Sequence, residues 1–183
     1  ALPRPERQAP HVMEAKIKEK RTKTPEQALA ALMRLCARAE KCTGDARRLM
    51  TGWGVGPAAQ EAVLKKLIGQ RFIDDERYAT AFVREKSSLN GWGPYKIRVA
   101  LQRKRIDREI VDRALASLDR EAGAERLHSL LQRKLRTAKG ATPYELRTKL
   151  IRYGLSLGYA YEAVADRVAQ LIQDDDACEP FFD

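Results

Sequence analysis

Few side chains in this sequence have the types and spacing that catalysis requires. Neither histidine, His11 or His128, belongs to a recognisable nucleophilic motif with serine, cysteine or acid partners. We expect His11 in an N-terminal tail and His128 at the surface or boundary of a helix. The sequence contains neither the phosphate-loop pattern G-x-x-x-x-G-K-S/T nor the dinucleotide pattern G-x-G-x-x-G. These observations predict that the protein is not an enzyme and uses no cofactor.

Metal binding is also weakly supported. The acids at 74–76 could bind Mg²⁺, but they stand where a helix should begin. Carboxylates there satisfy free N–H groups and the helix dipole, so we expect caps rather than metal ligands. Cys36, Cys42 and Cys178 make an odd count without a C-x-x-C pair, which argues against a disulfide framework or a zinc ribbon. We expect Cys36 and Cys42 in or beside the core.

The best functional candidates are basic side chains that stand near aromatic ones. Residues 96–105 contain five cations and no acid, and in a helix Lys96 and Arg103 share one face while Ile97 and Leu101 point to the core. Cations at helical spacing neutralise phosphates, and rings at the start of a basic helix can stack on bases. We predict a surface that binds DNA or an acidic protein, formed by Arg84, Lys86, Trp92, Tyr95, Lys96, Arg98, Arg103, Lys104, Arg105, Arg133, Lys134, Arg136, Lys149 and Arg152.

The distribution of charge supports such a surface. The formal net charge is +10, and residues 24–173 carry net +11 between a tail of net +4 at 1–23 and one of net −5 at 174–183. A basic body favours a polyanion or an acidic protein surface as partner. No run approaches the roughly 18 apolar residues of a membrane span, so we expect a soluble protein. The charged, proline-rich first residues and the cysteine usage predict a cytoplasmic location.

The spacing of apolar residues predicts an all-α protein. Leu29, Leu32, Met33 and Cys36 follow one helix face, similar stripes recur along the chain, and strand signals are nearly absent. A glycine-rich break at 91–93 separates two of the predicted helices. The predicted N-caps are Thr24, Asp74, Asp107 and Thr142, two of them followed by proline.

An internal repeat organises these helices. The pattern Pro-Tyr-x-Ile/Leu-Arg-x-x-Leu occurs at 94–101 and again 49 residues later, and a weaker match precedes it at an offset of 51. Ile106 and Leu155 continue the alignment, with about four extra residues placed near 156–159. Such units stack into an elongated, curved array. We predict three tandem three-helix repeats at 24–73, 74–120 and 121–173, between a basic extension at 1–23 and an acidic tail at 174–183.

The predicted binding residues also have structural interpretations. A single cation can be part of a solvated face, and Trp92 and Tyr95 can pack between units as readily as stack on bases. Arg47, Arg98 and Arg147 recur at one position of the repeat. That recurrence favours a shared structural role, such as an ion pair between helices, over contact with a ligand.

Two segments of the second repeat are distinctive. Residues 72–79 read Phe-Ile-Asp-Asp-Glu-Arg-Tyr-Ala, and Gly-Trp-Gly-Pro follows at 91–94 with Ile97, Arg98 and Leu101. They resemble the L-D-D-x-R-F/Y-A and G-Y/W-G-P-x-x-I-R-x-E-L segments of the RecX family. The resemblance covers 24–173 and is strongest at 72–118. The sequence departs from the family pattern in having Ala100 in place of Glu and Arg105 in place of Gly.

The resemblance implies a regulator of the bacterial recombinase RecA that acts in DNA repair and the SOS response. Family members bind RecA and its filaments on single-stranded DNA, and they inhibit ATP hydrolysis, strand exchange and co-protease activity. We therefore expect RecA and single-stranded DNA as partners, duplex DNA as a further one to test, and a monomer. The alternative is a helical protein that binds duplex DNA or RNA directly, without a recombinase. An enzyme that acts on nucleic acid through the acids at 74–76 is a third, disfavoured hypothesis.

Overall fold

The computed structural model describes residues 22–138 and 142–176, and of residues 174–176 only the backbone. Within these ranges the chain is all-α and contains no strand, which confirms the predicted fold class. The basic extension predicted at 1–23 lies almost wholly outside the described residues, as does the acidic tail beyond 176. The helices are α1 Pro25–Arg38, α2 Thr43–Gly52, α3 Pro57–Gly69, α4 Asp75–Ser88, α5 Pro94–Arg103, α6 Arg108–Ala116, α7 Arg120–Thr137, α8 Pro143–Ser156 and α9 Tyr161–Asp176.

Local capping explains where several helices begin. Thr24 and Gln27 form a complete capping box at α1, and Thr142 and Glu145 form another at α8. In each case proline occupies the first turn, where its missing N–H leaves no hydrogen bond unmade. The predicted N-caps at α4 and α6 are also confirmed, since Asp74 accepts from the N–H of Arg77, and the Asp107 side chain accepts in the same way at α6.

Three clusters of buried apolar residues follow one another along the chain. The first joins α1, α2 and α3, and the third joins α7, α8 and α9. The second joins α4, α5 and α6, and it also contains Cys42, the fully buried N-cap of α2. Packing therefore crosses the boundary predicted after residue 73. The division into units at 73 and 120 stays a prediction.

Cys36 and Cys42 lie beside and inside the core, as predicted. Cys42 is 0% exposed, and burial raises the pKa of its thiol to about 11. Cys36 is partly buried against the first cluster, and burial raises the pKa of this thiol as well. Both side chains therefore carry a protonated thiol at neutral pH, which suits packing rather than nucleophilic chemistry.

The four extra residues of the third unit lengthen α8. The sequence analysis placed them near 156–159, after the helix, and that placement is wrong. α8 has 14 residues and α5 has 10, although both begin at the proline of the repeat. Leu155 is therefore a helical residue that is 41% exposed, whereas Ile106 is buried beyond the end of α5. Tyr159 takes the place of Ile106, because each follows a left-handed residue: Gly158 with φ 89° and Arg105 with φ 58°.

Two of the three repeated arginines join neighbouring helices, as predicted. Arg47 pairs with Glu61 across α2 and α3, and Arg98 pairs with Asp112 across α5 and α6. Hydrogen bonds from these guanidinium groups lower the pKa of both carboxyls. Arg147 is exposed and forms no salt bridge with the residues that the structure describes.

Candidate nucleic-acid interface

The start of α5 packs against the turn between α8 and α9. Gly93 N–H donates to Leu157 O at 2.7 Å, and Tyr95 N–H donates to Gly158 O at 3.1 Å. This approach requires glycine on both sides: a Cβ at Gly93 would lie 2.4 Å from Gly158 O, and one at Gly158 would lie 2.4 Å from Lys96 Cβ. Backbone contacts therefore hold α5 against the third unit.

A groove of about 290 Å³ runs between α5 and the end of α8. The face of α5 that lines the groove points away from the core, because Ile97 and Leu101 are buried on the opposite face of this helix. The groove is lined by Trp92, Tyr95, Lys96, Val99, Ala100, Arg103, Leu155, Ser156 and Gly158. Four residues of the predicted binding surface thus meet in one place.

Two further predicted cations extend this groove along α8. Lys149 and Arg152 are exposed, and they stand seven and four residues before Ser156, on the same side of the helix. The groove is therefore bordered by positive charge on both helices, with Arg103 exposed on α5. We call these residues, Tyr95, Lys96, Arg103, Lys149 and Arg152, the α5–α8 face.

Trp92 packs against the second core cluster, whereas Tyr95 is exposed. The ring of Trp92 meets the edge of Phe82 with centroids 6.5 Å apart, and Lys96 Nζ lies 4.8 Å from its centroid. Lys86 Nζ lies 5.6 Å from the same ring. Trp92 is thus partly buried among these side chains, while Tyr95 is 70% exposed and has a ring free to receive a ligand.

Lys104 has an internal partner and belongs to the contact between the first two units. Its Nζ donates to both carboxylate oxygens of Asp45, at 3.0 and 2.9 Å, and lies 5.4 Å from the ring centroid of Tyr78. Burial alone raises the pKa of Asp45, but the hydrogen bonds and charge of Lys104 outweigh it and hold this pKa below its ordinary value. Together with the Arg98–Asp112 pair, this contact gives two of the predicted binding residues a structural role.

Three further predicted cations, Arg84, Lys86 and Arg105, do not line the groove. Arg84 is exposed, but it stands two residues after Phe82 and so faces away from the side of α4 that meets Trp92. Lys86 is paired with Glu85. Arg105 is exposed in the turn that follows α5.

Three predicted cations lie in the last turns of α7. Lys134 Nζ lies 5.5 Å from the ring centroid of Tyr153 on α8, and Arg133 and Arg136 are exposed. Their position neutralises the negative end of the helix dipole, which is a structural use of cations in this place.

The acids considered for a metal site have protein partners instead. Asp74 caps α4, Asp75 accepts from the N–H and hydroxyl of Thr43 at 2.8 and 2.6 Å, and Glu76 pairs with Arg113. Among the residues that the structure describes, no three His, Cys, Asp or Glu side chains are grouped to hold a metal ion. His128 is half-buried on α7, the boundary position predicted for it.

Sequence reasoning missed Tyr144. This residue occupies the same place in α8 that Tyr95 occupies in α5, directly after the first proline, and it is 79% exposed. The repeated Pro-Tyr pair was the signal that pointed to it. Leu155 also lines the groove. The sequence did not indicate this, because the repeat alignment matched Leu155 with Ile106, which is buried.

The fold and the α5–α8 face together define a class: an all-helical protein of tandem three-helix units with a basic, aromatic groove between two of them. No helix in the described ranges is long and apolar enough to cross a membrane.

Comparison with known proteins shows which family within this class the chain resembles. The family model of the RecX second three-helix domain matches residues 74–115. The regulatory protein RecX of Clostridium botulinum strain Eklund 17B is 35% identical over 103 residues, which are 55% of this chain and 48% of that protein. The regulatory protein RecX of Mycolicibacterium vanbaalenii is 31% identical over 122 residues, 67% of this chain and 66% of that protein. The chain thus spans about half the length of several relatives that it matches.

Solved structures share the fold. The crystal structure of RecX from Lactobacillus salivarius superposes with a TM-score of 0.72 at 19% identity, covering 81% of this chain and 96% of that one. A crystal structure of regulatory protein RecX gives a TM-score of 0.73 at 24% identity, with 82% and 73% coverage. The chain belongs to the RecX family.

Proposed function

We propose that this protein regulates the RecA recombinase: it binds RecA filaments on single-stranded DNA and inhibits their ATP hydrolysis, strand exchange and co-protease activity. Membership of a family whose relatives are named regulatory proteins supports a regulatory role. The observation that carries the nucleic-acid part is the α5–α8 face, where Tyr95, Lys96 and Arg103 line one groove. In this proposal the protein acts in the cytoplasm, as a monomer, without cofactor or catalytic site.

Charge and shape support a filament rather than a small molecule as the target. The net charge of +10 attracts a polyanion. The cations of the α5–α8 face are spread along two helices of different units instead of converging on one closed pocket. Exposed cations in this arrangement contact successive phosphates of a strand, which gives affinity without sequence preference.

The direct test is ATP hydrolysis by a preformed RecA filament on single-stranded DNA, with this protein titrated in. We expect inhibition, and inhibition well below one copy per RecA subunit would indicate capping or disassembly rather than coating of the filament. Hydrolysis that continues unchanged with the cognate RecA would contradict the proposal. If the protein then still bound duplex DNA or RNA tightly, the direct nucleic-acid binder would be the better hypothesis.

A pair of matched variants tests the surface. Arg103→Ala combined with Arg152→Ala removes one cation from each side of the groove, and we expect weaker inhibition with an unchanged helical spectrum. Arg38→Ala combined with Lys65→Ala makes the same change of net charge at exposed positions of the first unit and should leave inhibition intact. Equal inhibition by both double variants would mean that the α5–α8 face is not the binding surface.

A further inference from the structure

The ring of Tyr95 is exposed on a backbone that is held in place. Its N–H donates to Gly158 O at 3.1 Å, so the first turn of α5 is pinned to the neighbouring unit while the side chain stays 70% exposed. Leaving an aromatic ring in water forgoes the stabilisation that burial would give. A ring presented in this way is ready to stack on a flat partner with little loss of conformational freedom.

Two cations line the same groove and have hydrogen-bond donors available for a ligand. Lys96 Nζ donates one hydrogen bond to Ser156 O at 3.2 Å and lies over the ring of Trp92, which fixes the position of the ammonium in the groove. An ammonium has three donors, so this position leaves capacity for an anionic oxygen. Arg103 lines the far end of the groove, and among the described residues it has no salt-bridge partner.

The walls of the groove are apolar. Val99 and Ala100 lie on α5 between Tyr95 and Arg103, and Leu155 faces them from α8 with 41% of its surface exposed. The volume of about 290 Å³ is at the small end of the range for ligand sites. An apolar slot with a ring at one end and cations on its rim suits one flat, partly apolar group attached to a phosphate.

We infer that this groove is a pocket for one unpaired nucleotide of a single strand, with Tyr95 stacking on the base and Lys96 and Arg103 binding the flanking phosphates. The inference rests on the proposed function in taking nucleic acid as the partner, and it adds that a base, and not only the backbone, is bound. A duplex cannot use the pocket, because paired bases expose edges rather than faces. The pocket therefore selects single strands.

The test compares two oligonucleotides that have the same phosphates. One is an oligothymidylate of about 16 nucleotides, a length that spans the usual site of a single-strand binder, and the other is its abasic counterpart. We expect the full protein, without RecA, to bind the thymidylate about tenfold more tightly than the abasic strand, since stacking on one ring typically contributes that much. Equal affinities would overturn the inference, because phosphate contacts would then explain all of the binding.

Substitutions test whether the preference for the thymidylate strand over the abasic strand arises in this groove. Tyr95→Ala should abolish the preference, and Tyr95→Phe should retain it, because the stacking face survives. Tyr161→Ala removes a tyrosine that is 61% exposed at the start of α9 and should change nothing. Arg103→Ala should weaken binding of both strands by the same factor. A preference that survives in Tyr95→Ala overturns the inference.

The two proposals fail separately. If the wild-type protein inhibits RecA hydrolysis but shows no preference for the thymidylate strand, the nucleotide pocket is wrong and the proposed function stands. If the preference is present and depends on Tyr95 while inhibition is absent, the proposed function is wrong and the pocket stands.

Discussion

At the scale of single residues, Lys104 shows how a basic side chain is committed to the fold. It neutralises Asp45, a residue only 8% exposed, from a position 59 residues further along the chain, directly after α5. A buried carboxylate needs such a partner, because an unpaired charge in the interior is costly. Since Lys104 holds the pKa of Asp45 below its ordinary value, this stabilisation is complete above that ordinary value and is lost as the pH falls through the lowered pKa.

Lys104→Ala should therefore lower the free energy of unfolding by about 2–3 kcal/mol, because the largely buried Asp45 would keep only the exposed Arg48, at 3.4 Å, as a counter-ion. Arg103→Ala, one position earlier and exposed, should change the stability by no more than about 0.5 kcal/mol. Chemical denaturation of the two variants measures the difference. Affinity for single-stranded DNA should show the reverse order, with Arg103→Ala the weaker binder. If Lys104→Ala kept wild-type stability but bound DNA more weakly, Lys104 would be a binding residue and not a structural one.

At the scale of helices, two close approaches join the units by different means. The start of α5 is held to the α8–α9 turn by backbone hydrogen bonds between glycine-bearing segments. The start of α2 is held to the end of α5 by Asp45 and Lys104, and to α4 by the bonds from Thr43 to Asp75. Gly44 makes the second approach possible, because a Cβ there would lie 1.7 Å from Lys104 O.

Gly44→Ala should thus destabilise the protein by about 2–3 kcal/mol, since backbone and not a flexible side chain would have to move. The matched control lies in the same helix: a Cβ at Gly52 meets nothing within 4 Å, so Gly52→Ala should be neutral or stabilise by up to about 1 kcal/mol. Thermal or denaturant unfolding separates the two. A Gly44→Ala variant as stable as Gly52→Ala would show that the α2–α5 contact adjusts freely.

At the scale of the whole molecule, the arrangement of units determines which cations act together. Lys96 and Arg103 come from the second core cluster's helix α5, and Lys149 and Arg152 from α8 of the third. They form one face only because α5 is seated against the end of α8. Under the proposed function, these cations would contact several phosphates of one strand at once.

The salt dependence of DNA binding measures how many of these contacts form. If the four cations of the α5–α8 face each neutralise one phosphate, the logarithm of affinity should fall with the logarithm of salt concentration with a slope of about −3. Arg152→Ala should make the slope shallower by about 0.7, whereas Arg38→Ala should leave it unchanged. A slope near zero would exclude a phosphate-binding role for this face.

Much of the fold could be predicted because its signals are local. The capping boxes at Thr24 and Thr142 and the cap at Asp74 act over three or four residues, so their pattern is legible in the sequence. The repeated Pro-Tyr motif likewise predicted successive three-helix units. Counting residues between motifs failed at α8, because one extra helical turn lengthens this helix to 14 residues, against 10 in α5, and shifts the alignment of everything after it.

The candidate site could be predicted only in part. The cations and rings around 92–103 were identified by type and spacing, and the all-α class and the family followed from motifs that neighbouring residues carry. Only the tertiary structure decided which of them remain accessible. Lys104 and Arg98 pair with acids on other helices, Trp92 is partly buried against the second cluster, and Tyr95 stays exposed. The physical reason is that the sequence around a long charged side chain does not determine whether it stays in water or forms an ion pair, since the acid that pairs with it comes from whichever helix packs against it.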